Sequence, residues 1–145
     1  MNNYPEWWNQ TITVYNKYSD ASGRITWYRH ILRNCFWKDT VTMLVNGETM
    51  IQTNTTLCRV PVNKNFREKY VWDGLTSRGN YFTFGTGDII VKGIAEDVVN
   101  EYEAGKRSSD LLTKYKNLQG CFVVEKCSVN TGKGRGNEHY YVRGV

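Results

Sequence analysis

The sequence predicts a mainly β protein, a small barrel or sandwich of about seven strands with one short helix near the C-terminus. Three observations lead there. Aromatic residues make up 14% of the 145 residues, including 10 Tyr and 5 Trp, and there are only 2 Pro; aromatic and β-branched side chains favour strands. Several runs alternate apolar and polar residues with period two, and turn residues separate them. Only one stretch, just past residue 107, carries a helix start signal.

Residues 11–18 alternate, with Ile12 and Val14 on one face, as in a half-buried strand. Asp20, Ser22 and Gly23 supply turn chemistry. Residues 25–37 form a long second strand in which Ile25, Trp27, Ile31, Cys35 and Trp37 share one parity. Arg29 and Arg33 interrupt that parity, which predicts a bulge or a face that changes role along the strand. Residues 40–45 and 48–53 flank Asn46-Gly47, a strong short hairpin signal because both central residues of a type I′ turn need positive φ. Residues 55–62 read as a further strand, ended by Pro61. Residues 63–80 lack a period and are expected as a long loop with short structure. Tyr81 to Phe84 is apolar and aromatic, Gly85 to Gly87 is a turn, and residues 88–92 are a strand. Residues 94–102 read as strand or short helix, with strand expected at their start. Ser108 or Ser109 caps a helix through about Tyr115. Residues 122–129 and 138–142 form a final hairpin.

The chain has the size and composition of one folded domain, residues 1–145, with 40% hydrophobic and 23% charged residues. Residues 1–10 stand before the first strand as an N-terminal docking segment. No run reaches the roughly 18 apolar residues of a membrane span, and the N-terminus lacks the pattern of a signal peptide. The expectation is synthesis in a cytoplasm and no membrane partner. The last strand reaches the last residue, so a closely trimmed assembly part or binding module is expected. Net charge is +5 and uneven. Residues 1–80 carry +4, residues 88–103 carry −4 and residues 104–145 carry +5. A basic body with an acidic stripe suits contacts between copies or a nearby nucleic acid, although a solvated surface is the simpler reading.

No catalytic set emerges, and neither an enzyme nor a cofactor is expected. His30 and Cys35 fall on opposite parities of one strand, so they point apart. His139 has no metal-ligand spacing around it. Cys35, Cys58, Cys121 and Cys127 lack Cys-x-x-Cys spacing and fall in strand-like runs, as buried structural thiols do. Asp88, Glu96, Asp97, Glu101 and Glu103 match no calcium loop; Glu96, Asp97, Glu101 and Glu103 are read as an acidic inter-subunit edge. The glycine-rich stretch from Asn130 to Gly136 joins two strands and lacks the phosphate-loop order. It presents Lys133 and Arg135 as a basic loop, either solvated or touching a phosphate backbone or acidic neighbour. Tyr4, Trp7 and Trp8 either cap the core or dock onto a partner. The Asn46-Gly47 hairpin is a candidate to narrow a channel or grip a neighbour.

Four stretches resemble the head-completion, or head–tail connector, proteins of tailed bacteriophages. They are Ile12 to Tyr18 followed by a turn and Trp27-Tyr28-Arg29; Asn34 to Trp37; Phe84 to Gly93; and Asp110 to Tyr115 followed by Phe122 to Val129 and Tyr140 to Val145. The chain also resembles uncharacterised prophage structural proteins. The resemblance implies a non-enzymatic virion protein, a stopper in the neck. It implies a homo-oligomeric β-barrel ring with adaptor and portal above, a tail protein below, and packaged double-stranded DNA in non-specific contact. Two alternatives stand beside it. One is a tail-completion or tail-terminator protein. The other is a single-stranded nucleic-acid-binding barrel, in which Trp27-Tyr28-Arg29 would stack bases in a basic groove.

Overall fold

The computed structural model describes residues 4–116, 118–130 and 138–145. Six strands close into an antiparallel barrel: β1 (Gln10–Ser19), β2 (Ile25–Asn46), β3 (Thr49–Pro61), β4 (Ile89–Lys92), β5 (Cys121–Asn130) and β6 (His139–Gly144). Their order around the barrel is β1-β2-β3-β6-β5-β4. Among the described residues two α-helices, α1 (Lys69–Asp73) and α2 (Ser108–Lys116), and a short 3-10 turn at Arg78–Asn80 lie between the strands.

Two strand breaks expected from the sequence are absent. Residues 25–37 and 40–45 are one 22-residue strand, and the runs at 48–53 and 55–62 are one 13-residue strand. No Gly or Pro lies between Arg24 and Asn46, or between Thr49 and Val60, so nothing in the backbone chemistry stops either strand. Pro61 ends the second, as expected.

The irregularity in β2 is a bulge. Gln10 pairs with Cys35 but Ile12 pairs with Leu32, so β2 carries one extra residue there. Asn34 absorbs it in the left-handed region at φ 59°. Parity changes across the bulge. Leu32 before it and Cys35 after it both point into the barrel. Ile25, Trp27 and Ile31 therefore face outward, which corrects the single apolar face expected for them.

The inner core holds Ile12, Val14, Ile90, Phe122, Val124 and Val142, with Trp37 against it. A second apolar layer lies outside the barrel. Tyr15, Ile89 and Val91 face outward and are covered by Ala95, Val99, Leu111 and Tyr115. Strand β4 is thus buried on both faces, as its unbroken Ile89-Ile90-Val91 requires.

Residues 94–102 contain no strand, contrary to the expectation. Strand β4 already pairs with β1 and β5, so no open edge remains for the chain that follows it. Gly93 turns the chain aside at φ 86°. The segment then lies across the outer layer, with its backbone tied to side chains. Thr13 Oγ1 accepts the Ala95 N–H at 2.9 Å and donates to the Gly93 carbonyl at 2.8 Å.

Residues 62–88 form a long excursion, largely irregular as expected, that covers one mouth of the barrel. Phe66 stacks on Tyr140 with ring centroids 4.0 Å apart, and Phe82 and Phe84 pack beside it. Trp72 is fully buried, and its Nε1 donates to the Arg78 and Tyr81 carbonyls. Buried Asp88 fixes the far end of the excursion. It accepts from the Lys17 N–H, the Gly85 N–H and Asn16 Nδ2 at 2.8–2.9 Å. Burial raises its carboxyl above the usual range while these donors pull it back.

Candidate assembly interface

Strand β2 outruns the barrel. It pairs with β1 only as far as Cys35, and from Phe36 onward it pairs with β3. Strand β3 meets β6 only from Thr56 onward. Residues 40–46 and 49–55 therefore stand as a two-stranded ribbon with both outer edges open. At roughly 3.3 Å per residue the arm projects about 20 Å.

The tip differs from the expected turn. Asn46 pairs with Thr49, so Gly47 and Glu48 are the central residues and Asn46 closes the ladder. Gly47 alone among them has positive φ, at 63°. That is the requirement of a type II′ turn, which places glycine first, rather than of type I′.

The arm continues the barrel's inner face. Cys35 and Trp37 on β2, and Cys58 and Val60 on β3, pack inside the barrel. Two-residue periodicity puts Val41, Met43 and Val45 on the same face, with Met50 across the ladder. Past the rim no opposing strand covers them. Val45 is 70% and Met50 63% exposed, and Val41 and Met43 are also exposed. On the opposite face Ile51 is exposed as well. Between Asp39 and Arg59 the only charge is Glu48. A ribbon with open edges, a single charge and exposed Val41, Met43, Val45 and Met50 on one face is a template for protein association. It lacks the Lys and Arg that contact with a phosphate backbone requires.

The N-terminal aromatics divide. Trp8 is buried, edge-on to His139 at 5.6 Å and tilted on Phe36 at 6.4 Å. Tyr4 stacks on Trp8 at 5.1 Å, accepts the Val62 N–H at 3.1 Å, and its hydroxyl donates to the Glu138 carbonyl. These two clamp the segment onto its own barrel. Trp7 is 66% exposed and is the member of the three available to a partner.

The acidic edge is largely engaged within the chain. Asp97 accepts from Lys114 at 2.9 Å and from the Tyr115 hydroxyl at 2.8 Å. Chiefly the Lys114 bond holds the Asp97 carboxyl below the usual range and the Lys114 ammonium above its own. Glu101 accepts from Trp27 Nε1 and from the Ser108 N–H, both at 3.0 Å. Burial pushes the Glu101 carboxyl up, but those bonds outweigh it. Glu103 pairs with Lys106 at 3.3 Å. Glu96 remains exposed. Lys133 and Arg135 lie outside the described residues.

Trp27, Tyr28 and Arg29 are also engaged by their own chain. Trp27 packs against the outer layer, Tyr28 lies edge-on to Trp72 at 5.7 Å, and Arg29 Nη1 donates to the Ala95 carbonyl at 2.9 Å. This weighs against base stacking at that triplet. Cys35 and Cys58 are buried, and burial raises the thiol of Cys58; burial raises the half-buried Cys127 to about 11. Neither favours a thiolate. Among the described residues no cluster of three or more His, Cys, Asp or Glu is placed to hold a metal ion. No helix among them is long and apolar enough to cross a membrane.

Sequence reasoning missed a groove beside α2, about 290 Å³, with Val98, Val99 and Leu111 at its walls and Lys106, Arg107 and Lys114 around it. Val98 is 72% exposed. The signal was present: Val98 sits two residues from Glu96 in a run read for its charge and as a strand, not for an exposed apolar residue.

Fold and surface together define a small closed β-barrel that carries an uncovered apolar hairpin. Residues 7–145 match the DUF6751 family, a family of unknown function, and the chain belongs to that family. No curated protein and no solved structure matches it.

Proposed function

We propose that the chain is a non-enzymatic assembly protein, and specifically a neck connector of a tailed-phage virion that forms a homo-oligomeric ring between the portal–adaptor complex and the tail. The observation that carries the assembly role is the arm. Its apolar face continues the barrel core past the rim and is exposed at Val41, Met43, Val45 and Met50. Burying such a face is worth about 25 cal/mol per Å² of apolar surface, and a neighbouring protein provides that burial. The station in the neck rests on the resemblance of the first hairpin, the Phe84 to Gly93 turn-strand and the closing helix and hairpin to head–tail connectors. The net charge of +5 suits a ring around packaged DNA. Function here is mechanical: subunits join, the channel is lined, and the two faces receive different partners.

Antibody labelling of virions made by the genome that encodes the chain tests this reading. Label at the head–tail junction, with several copies per particle by quantitative mass spectrometry, is expected. Label at the far end of the tail tube would move the protein to a tail-completion station. Its absence from virions would overturn the proposal.

A further inference from the structure

We infer that the arm of one copy seats in the groove beside α2 of the next, with Glu48 meeting Arg107. The inference rests on the assembly reading and names the surface that receives the arm. Two uncovered apolar surfaces lie on this chain at different places. One is the ribbon, with Val45 and Met50 next to its tip; the other is the groove, where Val98 stands exposed above a floor of buried Val99 and Leu111. Their charges are complementary. Glu48 is the only charged residue on the arm and sits at its turn. At the groove, Lys114 is paired with Asp97 and Lys106 with Glu103. Asp110 accepts the backbone N–H of Arg107 at 3.1 Å. The exposed Arg107 guanidinium has no hydrogen bond or ion pair among the described residues. Among the described residues it is the cation at this site without a partner.

The size of the groove agrees. At about 290 Å³ it lies at the lower limit of small-molecule sites, and it suits a few aliphatic side chains from a narrow turn. A II′ tip places Val45 and Met50 side by side, because they are register partners, with Glu48 just beyond them. The apolar pair packs on Val98, over the buried Val99 and Leu111, while the carboxylate reaches the rim. An arm on one face and a groove on another make a heterologous contact, which repeats from copy to copy and closes into a ring when the rotation allows.

The test uses the full chain with a photoreactive benzoylphenylalanine at position 50, irradiated at about millimolar concentration and mapped by mass spectrometry. Cross-links between copies from position 50 to peptides containing Val98 or Leu111 are expected. Cross-links only between arms, or none between copies, overturn the inference. Charge reversal gives an independent readout of self-association. Glu48→Arg and Arg107→Glu should each weaken it about tenfold, and the double reversal should restore it to within about twofold. Additive losses overturn the pairing. Both residues are exposed, so melting temperature serves as the control for folding. Correct cross-links with no label on virions would sink the neck station and leave the arm contact standing. Neck label with cross-links elsewhere would do the reverse.

Discussion

Truncating the two adjacent tryptophans separately should give opposite results. Trp8 is 8% exposed and Trp7 66% exposed. A buried Trp removes roughly 200 Å² from water, which at about 25 cal/mol per Å² is about 5 kcal/mol. Residual structure in the unfolded chain trims that by roughly 10–40%, leaving about 3–4.5 kcal/mol. Trp8→Ala also removes the face on which Tyr4 stacks, so the Tyr4 bonds to Val62 and Glu138 weaken with it. Urea unfolding of the isolated protein should show a loss of about 3 kcal/mol for Trp8→Ala, or roughly 10 °C in melting temperature for a chain of this size. Trp7→Ala should stay within about 0.5 kcal/mol yet reduce incorporation into particles, if Trp7 is a partner contact. A loss under about 1 kcal/mol at Trp8, or an equal loss at both positions, would refute the division between clamp and contact.

Met50→Lys should leave unfolding free energy within about 0.5 kcal/mol while lowering self-association measured by sedimentation, because its side chain meets no barrel core. Gly144→Ala should destabilise by about 3 kcal/mol in a thermal melt, near the upper end for overpacking, since an added methyl overlaps the Val123 carbonyl oxygen. Asp97→Asn should flatten the acid side of the stability profile followed by circular dichroism. The Asp97 carboxyl is depressed, so its contribution is present above the unfolded value of 3.8 and is lost as pH falls through the folded value. Asp88 works in the opposite sense: its raised carboxyl costs stability once ionised and relieves that cost on protonation.

Alternation in residues 11–18, the Pro61 stop, the helix at Ser108 and the last hairpin were legible because each depends on local chemistry. The β2 bulge was legible from Arg29 and Arg33, but its consequence was not. Only the register Gln10 to Cys35 and Ile12 to Leu32 shows that Ile31 faces out and Leu32 faces in. Residues 94–102 misled for a tertiary reason. Ile94, Val98 and Val99 suit a strand, but β1 and β5 had already taken both edges of β4. At the turn, Asn46-Gly47 correctly signalled a hairpin, while the register moved the centre to Gly47-Glu48. For the interface, the sequence pointed at Gly47 and the hairpin. It did not reveal that the flanks extend the core face beyond the rim, because that depends on where β1 and β6 stop. The acidic edge was visible as charge, but its pairing with Lys114 and the Ser108 N–H is a product of how α2 folds back, and Glu103 meets Lys106 in the turn before that helix.

The most direct test of the account is the assembly state of a chain without its arm. Asp39 and Thr56 are register partners, and Thr56 Oγ1 donates to Asp39 Oδ1 at 2.8 Å, so a two-residue Asn-Gly link can replace residues 40–55 without disturbing the barrel. Sedimentation equilibrium over rising concentration should show the full chain associating. The shortened chain should remain a monomer and melt within a few degrees of the full chain. Equal association of the two chains would contradict the claim that the arm drives assembly, and so would a full chain that stays monomeric even at about millimolar concentration.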